Sequence, residues 1–145
     1  LKESSKATRS ATAATTASEI TSWYSNLGNS EQGSYVFWNF MTNPESLTPE
    51  QRFQAIINIH GIMVTWQNSY YLLKEGTLDK RVHESLLEIV NGVKNNPGFH
   101  IFWEERKLIF LKEFQEYVEG IMASDKLNSV GVYQSEIEKT NANNV

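Results

Sequence analysis

Cysteine is absent from the 145 residues. Without it there is no disulfide framework, thiolate metal site or cysteine nucleophile, which excludes zinc-finger and iron–sulfur readings. No stretch approaches the roughly 18 uninterrupted apolar residues of a membrane-spanning helix. Positive charge is also scarce: 13 Lys and Arg stand against 17 Asp and Glu, a formal charge of −4. With no basic stripe in the body of the chain, the sequence argues against nucleic acid as the main partner, since affinity there comes from Lys and Arg neutralising phosphates. Glycine-rich phosphate loops and the G-x-S-x-G elbow are missing. His60, His83 and His100 are the three histidines, and no two stand at the i, i+4 spacing that pairs metal ligands on a helix face. The sequence therefore calls for no cofactor and no metal, and it leans away from an enzyme.

What is present divides the chain in three. Residues 1–18 are almost all Ala, Ser and Thr, with Lys2, Lys6 and Arg9 against Glu3. Apolar residues begin at Ile20, Trp23, Tyr24 and Leu27, spaced for a helix that Gly28 would close. The spacing predicts one helix in an arm over 1–29, its C-terminal half docked on the body and its N-terminal half projecting. Residues 30–124 form the body. Residues 125–145, rich in Asn, Ser and Glu, read as a flexible polar tail with a short helix around 133–139.

The body reads as helix throughout. Ser30 opens a helix whose apolar side carries Tyr35, Val36, Trp38, Phe40 and Met41, and it ends before Asn43-Pro44, because the residue before proline is pushed out of the α region. Thr48-Pro49-Glu50-Gln51 supplies a capping threonine, a proline at the first helical position and a glutamine to bond back to the cap. The long helix that follows to Glu75 has apolar residues on more than one stripe, the pattern of a central helix packed on several sides. Thr77 or Asp79 caps a helix carrying Val82, Leu86, Ile89, Val90 and Val93, and Asn95-Asn96-Pro97-Gly98 stops it. From Phe99 the helical period continues, either as one helix bent near Phe110 or as two short helices meeting there. No period-2 run appears, so the expected fold is all-α: five or six helices in an irregular bundle with a long N-terminal helix.

Three groups of residues are candidates for function. His60 lies in mid-helix beside Gly61, and with Asn68, Tyr71 and Glu104 it would form a polar pocket for a small molecule. The competing expectation gives His60 a hydrogen-bond partner in the core, has Asn68 bridging to another helix, and pairs Glu104 or Glu105 with Arg106 or Lys107. His83 and His100 read as surface residues. Most of the aromatic residues, 12% of the chain, build the core, but Phe37 faces away from Tyr35 and Trp38, and Phe99 opens a run of large residues on several sides. Phe37 and Phe99 are therefore the candidates for an exposed interaction patch.

Asn43 to Phe53 (Asn-Pro-Glu-Ser-Leu-Thr-Pro-Glu-Gln-Arg-Phe), Gln67-Asn68-Ser69-Tyr70-Tyr71, Gly76-Thr77-Leu78-Asp79, Asn96-Pro97-Gly98-Phe99 with Trp103, and Phe114 with Tyr117-Val118 occur in that order. This pattern resembles a widespread group of uncharacterised bacterial proteins in which one N-terminal transmembrane helix precedes a small helical domain of unknown function. In that group a Glu often stands where Gln67 is, and a Trp where His83 is. The resemblance implies an architecture: a membrane tether upstream of Leu1, with Lys2, Lys6 and Arg9 placing the domain in the cytoplasm. The alternative is a soluble cytoplasmic protein. The leading functional expectation is a non-enzymatic domain that binds a protein partner or a second copy of itself. The alternative is a sensor or enzyme using the His60 pocket.

Overall fold

A computed structural model describes residues 2–125 and 142–144. Among them the chain forms six α-helices: α1 (Lys2–Gly28), α2 (Glu31–Thr42), α3 (Pro49–Lys74), α4 (Lys80–Val93), α5 (Pro97–Arg106) and α6 (Lys112–Met122). Single 3-10 turns at Pro44–Ser46 and Lys107–Ile109 link α2 to α3 and α5 to α6. The all-α expectation holds, and the molecule is a small all-helical domain. The helix expected at 133–139 lies outside the described residues.

Local chemistry sets each boundary. Ser30 accepts the Gly33 amide at the start of α2. Thr48 and Gln51 form the reciprocal capping box of α3, with Pro49 at its first position. Of the two candidates for α4, Asp79 is the cap, accepting from the Arg81 amide. Gly76, at φ 75°, turns the chain out of α3 in the left-handed region where a Cβ is costly. The bend near Phe110 is the Lys107–Ile109 turn.

α3 runs through the centre and buries Ala55, Ile59, Met63, Trp66 and Ser69 along one face. Around that face pack Phe40 and Met41 from α2, Leu86 and Val90 from α4, Phe99, Phe102 and Trp103 from α5, and Phe114 and Val118 from α6. Each fully buried large side chain contributes roughly 1.5–3 kcal/mol. α2 and α5 meet most closely at Gly98, where a Cβ would lie 2.1 Å from the Phe40 carbonyl oxygen.

α1 is antiparallel to α3. Its Trp23 indole N–H donates to the Asn58 carbonyl at 2.9 Å, whereas Glu19, one turn earlier, shares a surface hollow with Val64 and Asn68. Thr16, Ile20, Trp23 and Leu27, spaced four, three and four residues apart, face the body, and Thr16 is 3% exposed. The docked stripe thus reaches Thr16, and residues 5–11 are exposed.

One expectation about helix faces is corrected. On α2 the buried residues are Val36, Phe37, Phe40 and Met41, while Tyr35 and Trp38 are exposed. α3 is packed on several sides, as its pattern predicts, with α1, α2, α4 and α5 against it, while Phe53, Ile57 and Val64 stay exposed.

Candidate functional site

The four residues of the expected polar pocket do not converge. His60 packs its ring 4.9 Å from Phe110 and 6.3 Å from Phe102. Its Nδ1 is buried without a hydrogen-bond partner among the described residues, which corrects the expectation of a satisfied core histidine. Desolvation, then the Arg106 charge, holds the imidazole pKa below its ordinary value. Glu104 is exposed and pairs with Lys107 one turn on at 3.2 Å. Only Asn68 and Tyr71 share a site, a shallow hollow with Glu19, Val64 and Leu111. The bridge assigned to Asn68 is made by its neighbour: Gln67 Oε1 accepts the Leu111 amide at 2.9 Å, tying α3 to the start of α6. The hollow holds no paired acid and base.

The histidine that organises polar side chains is His83, expected on the surface and in fact 4% exposed. It sits in the second turn of α4, with Nδ1 2.8 Å from the Ser69 hydroxyl of α3 and Nε2 2.8 Å from the Tyr117 phenol of α6. The Ser69 hydroxyl has no other hydrogen-bond partner among the described residues and is wholly buried. Donating its proton to Nδ1 leaves no buried hydrogen unpaired, and Nε2–H then donates to the half-exposed Tyr117 oxygen. Burial lowers the His83 pKa. The Tyr117 phenol is pushed up to about 12 by burial and the neighbouring Tyr70. Tyr70 stacks on Tyr117 at 4.5 Å and donates to Glu113, which also holds Lys74. A serine donating to an imidazole has the form of an activated nucleophile, but a hydroxyl with no exposure meets no substrate. The cluster clasps α3, α4 and α6 in one register.

Sequence spacing did not disclose His83, because its partners lie 14 and 34 residues away. The one available signal was that His83 and Leu86 are three residues apart on the face that buries Val90.

The residues expected to form an interaction patch are core. Phe37 is 7% exposed and Phe99 1%. Phe37 meets Trp23 edge-to-face at 5.5 Å, and Phe99 faces Phe102. Both instead line a cavity of about 300 Å³ between α1, α3 and α4, whose other walls include Tyr24, Met63, Trp66 and Val93.

Exposed apolar surface lies elsewhere. On α3, Phe53 (66% exposed), Ile57 and Val64 follow the helical period through the exposed Gly61. Leu108, Ile109 and Leu111 are also exposed around the turn after α5, and Leu111 shares the hollow with Val64. Phe53, Ile57, Val64 and Leu111 are thus open to solvent on one side of the molecule. Glu50 stands at the N-terminal end of the stripe and Lys112 beside Leu111 at the other. Among the described residues no three His, Asp or Glu side chains converge to hold a metal ion.

No family model, curated protein or solved structure matches this chain. The resemblance read in the sequence accordingly rests on its caps, turns and aromatic residues.

Proposed function

We propose that this is a self-association domain without enzymatic activity, whose α3 stripe packs against the same stripe of a second copy. The carrying observation is the exposure of Phe53, Ile57 and Val64 along one face of α3, with exposed Leu111 beside Val64. Apolar side chains clustered in this way on a folded domain mark an interaction surface. Gly61, near the middle of the stripe, has no heavy atom within 4 Å of where a Cβ would stand, so a second helix can approach its backbone. A two-fold axis near Gly61 sets Ile57 against Val64 of the other copy. At 1.5 Å per residue, Phe53 lies about 12 Å to one side and Gln67, which holds Leu111, about 9 Å to the other. Antiparallel pairing therefore brings Glu50 of each copy toward Lys112 of the other, and this complementarity favours a second copy over an unrelated partner.

The reading includes a membrane tether upstream of Leu1, with the domain in the cytoplasm. It is supported by the family resemblance and by Lys2, Lys6 and Arg9; none of the described helices is itself long and apolar enough to cross a membrane. Confinement to a membrane would raise the effective concentration of copies.

Sedimentation equilibrium tests the interface. Wild type should be a dimer at micromolar concentrations, and Ile57→Asp or Val64→Asp a monomer with unchanged helicity. Glu50→Lys should weaken the dimer, and Lys112→Glu in the same chain should restore it. A wild-type monomer at millimolar concentration would overturn the reading.

A further inference from the structure

We infer that the cavity between α1, α3 and α4 is a binding site for a small, uncharged, mainly apolar molecule bearing one hydrogen-bond acceptor, such as a medium-chain alcohol. Its volume of about 300 Å³ is at the lower end of the range of small-molecule sites, which are concave, largely apolar and few per protein. A cavity too large for a methyl group costs stability when left unfilled, so this one is a feature to be explained. Its walls are apolar almost throughout: Met63 and Trp66 at the floor from α3, Phe37 from α2, Val93 from α4 and Tyr24 from α1.

Two polar groups narrow the ligand. The Trp66 indole N–H is buried without an acceptor among the described residues, and Trp66 is 1% exposed. An oxygen on the ligand would supply the acceptor that this donor lacks. Glu88 is the one charged side chain among the lining residues, so the wall supplies no cation to replace the hydration of an anionic head. A fatty acid anion is thereby disfavoured relative to the alcohol of the same length.

α1 contributes Trp23 and Tyr24 to the wall and is fastened to α3 through the Trp23 bond to Asn58. The ligand would bridge α1 to the body and so stabilise the docking of the N-terminal helix. This site is on the opposite side of α3 from the exposed stripe, and the inference stands whether or not the domain dimerises.

The test is titration of the full chain with 1-octanol and with octanoate at pH 7.5, read by tryptophan fluorescence, since Trp23 and Trp66 line the cavity, and by hydrogen exchange. Octanol should bind saturably, at least tenfold more tightly than octanoate, and slow amide exchange in residues 12–28. Val93→Phe, whose larger ring takes up part of the cavity, should weaken octanol binding at least tenfold with its melting temperature equal to or above that of wild type. Absence of saturable octanol binding, unchanged binding in Val93→Phe, or equal affinity for octanoate in the wild type would each overturn the inference.

Discussion

The Ser69 hydroxyl and the His83 imidazole, 2.8 Å apart across the α3–α4 contact, make folding sensitive to acid. Burial lowers the folded-state pKa of His83, so at mildly acidic pH the unfolded chain binds a proton that the folded chain refuses. Stability therefore rises with pH through the unfolded-state value near 6.5 and falls as pH drops below it. Urea unfolding at pH 8, 6.5 and 5 should show this loss. His83→Gln should flatten the slope while costing about 1–3 kcal/mol at pH 8, because Ser69 keeps a poorer acceptor. His60, also lowered by burial, should leave a residual slope in that variant, which His60→Gln then removes. Equal slopes in wild type and the double variant would show that neither imidazole is linked to folding.

Gly98 lets α5 lie against the backbone of α2. In Gly98→Ala the new Cβ would stand 2.1 Å from the Phe40 carbonyl oxygen and 2.6 Å from its carbon, and neither atom can move without shifting the helix. The loss should be about 3 kcal/mol, the upper end of overpacking costs. Gly120, in α6 with nothing within 4 Å of its Cβ position, is the contrasting site: Gly120→Ala should gain about 0.5–1 kcal/mol from helix propensity. Chemical denaturation of the two variants side by side reads both signs, and a neutral Gly98→Ala would contradict the α2–α5 packing.

Lys94 is 1% exposed and donates through Nζ to the carbonyls of Ile121 and Ser124. A cation over the C-terminus of α6 donates to carbonyls at the end of the helix and complements its dipole. Lys94→Met keeps the stem and removes the donor, and should cost about 1–3 kcal/mol. Hydrogen exchange should locate the effect in the last turn of α6. An even loss of protection across the body would mean that the stem, not the amine, contributes the stability.

How far the sequence disclosed this molecule depends on the range of the physics involved. Caps and breakers act within four residues, so Ser30, the Thr48–Gln51 box, Gly76 and the turn before Phe110 could be read directly. Burial is decided across helices. A helical period shows that Phe37 and the Tyr35–Trp38 side of α2 differ, but which side meets the core depends on where α1 and α5 lie. Here Gly98 draws α5 onto Phe40, and Trp23 covers Phe37. The same holds for polar residues. Asn68, a poor helix former, is the residue the sequence offers for an interhelical bridge, yet the bridge is made by Gln67, which faces the Leu111 amide. His83 looked like a surface residue between Arg81 and Glu84 because Ser69 and Tyr117 are remote in sequence.

Phe37 and Phe53 provide the sharpest contrast between core and interface. Phe37 is 7% exposed, against the ring of Trp23, whereas Phe53 is 66% exposed on the free stripe of α3. Phe37→Ala should cost about 3–5 kcal/mol, the range for deleting a buried aromatic ring, and should loosen α1, since Trp23 loses its edge-to-face partner. Phe53→Ala should leave monomer stability within about 0.5 kcal/mol, as surface changes do, yet weaken self-association at least tenfold by removing a large apolar anchor from its end. Urea unfolding at a concentration where the chain is monomeric gives the first quantity, and sedimentation equilibrium the second. If Phe53→Ala leaves association untouched while Phe37→Ala lowers it without loss of stability, the interacting surface is on the α2 side. In that case α3 exposes its stripe for another purpose.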